Sequence, residues 1–169
     1  MKGDREALVK FFNTGDRSEH GAALKGWCNE GNDLSNWNGV MTVEGKKNIV
    51  RELNLCGHGL LGSIPASFGK LNNIVELLLS NNNLEGEIPT SLGDLESLEH
   101  IDLQGNKLSG CIPSSVLRLS SLRVLLLGNN RLSGSIPPMR CPEIRRLELE
   151  RNNLSGEIPK NIGESVDLF

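Results

Sequence analysis

The feature that most constrains this 169-residue chain is a spacing. Leu53 and Leu55 recur 24 residues later as Leu77 and Leu79, then as Ile101 and Leu103, then as Leu125 and Leu127. A last step of 22 residues reaches Leu147 and Leu149, so the fourth repeat is two residues short, within Pro138-Met139-Arg140-Cys141-Pro142. All five repeats share a second half: Leu60-x-Gly62-x-Ile64-Pro65, Leu84-x-Gly86-x-Ile88-Pro89, Leu108-x-Gly110-x-Ile112-Pro113, Leu132-x-Gly134-x-Ile136-Pro137 and Leu154-x-Gly156-x-Ile158-Pro159. A sustained period of this kind means one supersecondary unit copied and stacked, each copy burying its apolar face against its neighbours.

Within a repeat, Leu-x-Leu alternates with period two, which predicts a short strand with both leucines on one face. Successive strands then stack as a parallel sheet, and the Leu and Ile pairs from Leu53 to Leu149 point into one continuous core. Three residues beyond each strand stand Asn82, Asn106, Asn130 and Asn152. Their amides can bond backbone groups of neighbouring coils where the chain turns inward, forming an asparagine ladder. His58 takes this place in the first repeat, as a buried imidazole bonded to backbone rather than a metal ligand. The segment Ser91-Leu92-Gly93-Asp94-Leu95 is too short for a long helix and predicts a turn or 3₁₀ piece on the convex side.

Both ends depart from the repeat. Residues 4–14 predict an amphipathic helix with Asp4 as N-cap, Ala7, Leu8, Phe11 and Phe12 on one face, and Gly15 as the stop. With Trp27, Trp37 and Val40, this helix is expected to lie over the first repeat and close the open end of the core. Residues 1–49 thus read as an N-terminal cap of helix, Trp-rich loop and short hairpin, and residues 50–169 as five repeats. After Ile158-Pro159 only Ile162, Val166, Leu168 and Phe169 supply apolar groups, so the C-terminal end has no clear cap and is open to association.

Composition excludes several functions. A net charge of −3 and a pI near 5.7 leave no cationic excess for a phosphate backbone, so nucleic acid is not an expected partner. No apolar run reaches the length of a membrane span, so insertion is not expected. Cys28, Cys56, Cys111 and Cys141 are scattered and predict free thiols, with Cys56 the most accessible.

Outward strand positions give the concave face: Glu52, Asn54 and Cys56; Glu76, Leu78 and Ser80; His100, Asp102 and Gln104; Val124, Leu126 and Gly128; Arg146, Glu148 and Glu150. Of these, Glu52, Asn54, Glu76, Leu78, His100, Asp102, Gln104, Val124, Leu126, Arg146 and Glu148 are the candidate binding residues. Leu78 and Leu126 are expected as exposed apolar anchors around His100 and Asp102. Catalysis is not expected: His20, His58 and His100 fall in unrelated repeat positions, and Cys56 and His58 point to opposite sides. No phosphate loop is present, and neither metal nor cofactor is implied. Five strands at about 4.8 Å present roughly 400 Å² of sheet, half of the roughly 800 Å² per partner of a standard interface. The face therefore suits a peptide, a weak contact, or a partner that also uses flanking surfaces.

The pattern LxxLxLxxNxLxGxIPxxLGxL in residues 74–95 resembles the plant-type leucine-rich repeat, and related motifs run from residue 50 to about residue 163. That resemblance implies an α/β right-handed solenoid, a horseshoe with a parallel sheet on its concave side and a second short strand near each Leu-x-Gly-x-Ile-Pro. It also implies recognition of proteins or peptides, as in receptor ectodomains and inhibitors of secreted hydrolases. The cap is similar to those of plant-type repeat proteins, but Ser35 and Thr42 stand where plant receptor caps carry cysteines. In this it more resembles algal and protist repeat proteins, some of which place such repeats beside a Roco-type GTPase region. The missing cysteine pair and missing leader favour an intracellular setting, while a secreted or ectodomain origin stays open. The reading is a protein- or peptide-binding module within a larger receptor or signalling protein, against two alternatives: an inhibitor of a secreted hydrolase or a purely structural spacer.

Overall fold

The structure, a computed structural model, describes residues 3–14, 24 and 33–160. Helix α1 (Gly3–Thr14) leads to a 3₁₀ turn at Leu34–Asn36 and an antiparallel hairpin of β1 (Val40–Val43) and β2 (Lys46–Asn54). β2 is also the strand of the first repeat, so the hairpin and the repeats share one sheet. Parallel strands β4 (Glu76–Leu78), β6 (His100–Asp102), β8 (Val124–Leu126) and β10 (Arg146–Glu148) follow in that order. On the flank run β3 (Leu61–Gly62), β5 (Asn83–Glu87) and β7 (Lys107–Ser109) as one small sheet, with β9 (Ser133–Gly134) and β11 (Asn153–Leu154) as another.

Register follows the period. Leu53, Leu77, Ile101, Leu125 and Leu147 are cross-strand neighbours, even across the shortened repeat. They and Leu55, Leu79, Leu103 and Leu127 are buried in one cluster, against which Leu149 packs partly buried. The convex side carries 3₁₀ turns at Ala66–Lys70, Thr90–Asp94 and Val116–Arg118, which pin Phe68, Leu92 and Val116 inward. Their close stacking requires Gly69 and Gly93, where a Cβ would collide with Ser91 and Ser115 of the next coil. The fourth repeat has lost its 3₁₀ turn among the described residues and buries Met139 and Cys141 instead.

Asparagines close the inward turns. Asn106 Oδ1 accepts from the Leu84 N–H at 3.0 Å, while its Nδ2 donates to Leu79 O and Leu103 O, both at 3.0 Å. Asn82, Asn130 and Asn152 repeat the arrangement, each tying a coil to its predecessor. Just before each ladder residue the backbone is left-handed, at Gly57, Asn81, Gly105, Asn129 and Arg151, which explains the Gly and Asn preference there.

The first repeat differs from the sequence expectation. His58 is half-buried rather than buried, and its Nδ1 lies 2.7 Å from Cys56 O. One imidazole nitrogen reproduces one of the amide's bonds, and the glycines on either side shield it little.

Asp4 also departs from its expected role. α1 begins at Gly3, so Asp4 sits inside the first turn, and its Oδ2 accepts from the Val50 N–H at 2.9 Å. Partial burial pushes its carboxyl above the usual range, although the Val50 bond opposes that shift. The tie holds the helix to the repeat strand while Ala7, Leu8 and Phe11 bury their side chains, Phe11 packing on Phe68 with ring centroids 5.1 Å apart. Trp37 and Val40 are buried. At the expected cysteine position, Ser35 instead donates its N–H to Asp33, whose other oxygen takes Lys47 Nζ at 3.1 Å. Gly15, His20, Trp27, Cys28, the Phe12 side chain, Ile162, Val166, Leu168 and Phe169 lie outside the described residues.

Candidate concave binding face

The pleat of β2, β4, β6, β8 and β10 turns two rows of side chains to the concave side. One row runs Glu52, Glu76, His100, Val124, Arg146, and the next runs Asn54, Leu78, Asp102, Leu126, Glu148. Gln104 follows Asp102 and donates its backbone N–H to Asp102 Oδ1 at 3.2 Å. All eleven candidate residues thus lie on one sheet face, but they do not make one uniform surface.

The expected pair of apolar anchors is reduced to one. Leu78 is half-buried, whereas Leu126 is only 6% exposed although it lies outside the core cluster. At a strand spacing of about 4.8 Å, Leu126 sits down between Asp102 and Glu148, its partners in register. Leu126 is therefore a floor of the face rather than an anchor standing above it. Gly128 is buried too, because a Cβ there would collide with the Glu150 carboxylate.

Charge divides the face. At the C-terminal end, Arg146 closes on its own neighbour, its Nε and Nη2 reaching Glu148 Oε1 at 2.8 and 2.5 Å. On the flank, Arg123 Nε is 3.5 Å from Glu99. The first three repeats instead hold Glu52, Glu76 and Asp102, and among the described residues neither Glu52 nor Asp102 has a cationic partner. Glu76 is 4.0 Å from His100 Nδ1, while the other ring nitrogen, Nε2, is buried without a hydrogen-bond partner. A buried polar atom left unpaired is costly, so His100 is the least satisfied group on the face.

The thiols also fall differently from expectation. Cys56 is half-buried and its Sγ takes the Ser80 hydroxyl at 3.1 Å, whereas Cys111, on the flank, is exposed. The x position of Leu-x-Gly-x-Ile-Pro faces solvent, while the concave row is partly screened by adjacent strands. Cys141 is buried, and desolvation pushes its thiol up to about 11. Among the described residues no three His, Cys, Asp or Glu side chains converge to hold a metal, and no helix is long and apolar enough to cross a membrane. The face offers shape, charge and hydrogen bonds. It presents no paired nucleophile and base.

Family models described as leucine-rich repeats match residues 49–108, 121–140 and 143–165. No curated protein sequence matches the chain. Among solved structures, it is similar to the BIR2 ectodomain from Arabidopsis thaliana, with 31% identity over 98% of this chain and 92% of that one and a TM-score of 0.86. A second similar structure is the BIR3–SERK2 complex from Arabidopsis thaliana, with 31% identity, 96% and 92% coverage and a TM-score of 0.80. A third is the Arabidopsis receptor kinase HAESA, solved with the peptide hormone IDA and the co-receptor SERK1. There 62% of this chain matches 18% of the receptor at 39% identity and a TM-score of 0.60. With its 24-residue period, asparagine ladder and flank strands, and at this similarity over nearly its whole length, the chain belongs to the plant-type leucine-rich-repeat family.

Proposed function

We propose that this chain is a recognition module that binds a protein or peptide across its concave sheet, as the ligand-sensing part of a larger receptor or signalling protein. One observation carries the reading: carboxylates at Glu52, Glu76 and Asp102 flank the half-buried Leu78, and among the described residues no lysine or arginine closes on them. Acidic groups left open around an apolar side chain suit a partner residue that is basic or hydrogen-bonding beside an apolar one. The orphaned His100 Nε2 adds a polar group for the same ligand to satisfy. Similar structures support a macromolecular partner, since HAESA was solved with a peptide hormone and a co-receptor and BIR3 with SERK2.

A random peptide library selected on the purified chain tests this. Enriched sequences should pair Lys or Arg with an apolar residue, and Asp102→Lys should weaken the selected peptide by more than about tenfold while leaving the melting temperature unchanged. Leu78→Asp should weaken it as well. If neither change alters affinity while convex-side substitutions do, the concave sheet is only scaffold and the spacer reading stands.

A further inference from the structure

The flank carries a second feature that the concave reading does not use. Gly62, Ser63, Glu85, Lys107, Ser109 and Arg131 line an open groove of about 380 Å³ across β3, β5, β7 and the turn before β9. Gly86 completes its floor, and its φ of +79° belongs to the left-handed region that keeps the position free of a side chain.

Its charges are left open. Glu85 and Lys107 are partners in register, yet no ion pair forms between them, and among the described residues neither Lys107 nor Arg131 closes on a carboxylate. Elsewhere the chain does close such pairs, at Lys47 with Asp33, Arg123 with Glu99 and Arg146 with Glu148. The Arg131 N–H donates to Leu108 O at 2.8 Å, which places the two cations one coil apart on the same flank. Two cations and one anion thus share the groove of a chain whose net charge is −3. The Ser63 hydroxyl at the groove wall has no partner among the described residues and can donate to an anion as well.

From this arrangement we infer that the lateral groove receives a carboxylate-bearing segment of a partner protein, the carboxylate held between Lys107 and Arg131. A free small anion is a poor occupant, because an open groove leaves the ion pair in water, where it contributes little. A macromolecule that covers the groove removes that water and strengthens the attraction. Glu85 sets the second requirement, since it repels a uniform polyanion and suits a basic residue following the partner's carboxylate. The site is separate from the concave face and stands or falls independently of it.

The test is an NMR titration at low salt with the blocked peptide Ala-Glu-Glu-Ala-Lys and its Gln-Gln counterpart. The acidic peptide should shift the Lys107, Ser109 and Arg131 amides, and the Gln version should not. K107E/R131E should weaken binding at least about tenfold, whereas the charge-matched R118E/R140E, at exposed positions of the outer arc, should leave it unchanged. The single variants K107Q and R131Q provide the same reading if the double reversal unfolds. Equal shifts from the Gln peptide, or equal loss in R118E/R140E, would show diffuse attraction and overturn the proposal. Tighter binding of a sulfated oligosaccharide to the same amides would overturn the assignment to a protein carboxylate.

Discussion

The isoleucine of Leu-x-Gly-x-Ile-Pro is 3% exposed at Ile64, 4% at Ile88 and 2% at Ile112, but half-buried at Ile136 and 70% exposed at Ile158. The ladder behaves the same way: Asn82, Asn106 and Asn130 are buried, while His58 and Asn152 at either end are half-buried. An identical motif therefore fixes where a side chain points, and the neighbouring coils decide whether it is buried. In such an array stability is a sum of contacts between adjacent coils, and the terminal coils have fewer.

The contrast can be broken or sharpened by substitution. The largest effect is expected at Leu103, fully buried in the central coil with coils on both sides: Leu103→Ala should cost about 2–5 kcal/mol by urea denaturation. Leu149→Ala, at a partly buried site, should cost under about 2 kcal/mol. Equal losses would mean that burial does not follow coil position.

A smaller effect is expected in the ladder. Asn106→Ala strands the Leu84 N–H and leaves Leu79 O and Leu103 O with one ladder donor each, from Asn82 and Asn130, and should cost about 1–3 kcal/mol. His58→Asn should instead gain up to about 1 kcal/mol, because an amide can add the bonds that the imidazole lacks. A destabilised His58→Asn protein would show that the first coil has its own requirement for the ring.

The smallest effect concerns Asp4, which joins α1 to Val50. Its folded carboxyl titrates above the usual 3.8, so between those values the folded chain holds a proton that the unfolded chain has released. The contribution from Asp4 is greatest below that window and falls as pH rises through it. Comparing the pH dependence of stability in Asp4→Asn and wild type should show this slope missing from the variant, and identical slopes would refute the assignment.

What the sequence made legible was direction. Period two set the leucines inward and Glu52, Leu78 and Asp102 outward, and spacing alone located the ladder asparagines. Depth was not legible, because it depends on the lengths of lateral neighbours: Leu126 is sunk between Asp102 and Glu148, and Cys56 is screened while Cys111 is open. Asp4 read as a helix cap because its distant partner, the Val50 N–H, leaves no local pattern. The flank groove was not read from the sequence, although Lys107 and Arg131 each follow a ladder residue, Asn106 and Asn130. Without the register of β5 and β7, nothing marked those two cations as sharing a groove with Glu85.

The shortened fourth repeat has one more consequence. Two residues are missing from its outer arc, yet Leu147 remains opposite Leu125 and Asn152 still accepts from the Leu132 N–H. The sheet and its ladder keep time while the arc changes length, held to the core by Met139 and Cys141 as two pegs. Residues 138–142 are thus a permissive graft point: a loop inserted beside Arg140, which is exposed, would be displayed on the back of the molecule without shifting the recognition sheet, provided both pegs stay in place.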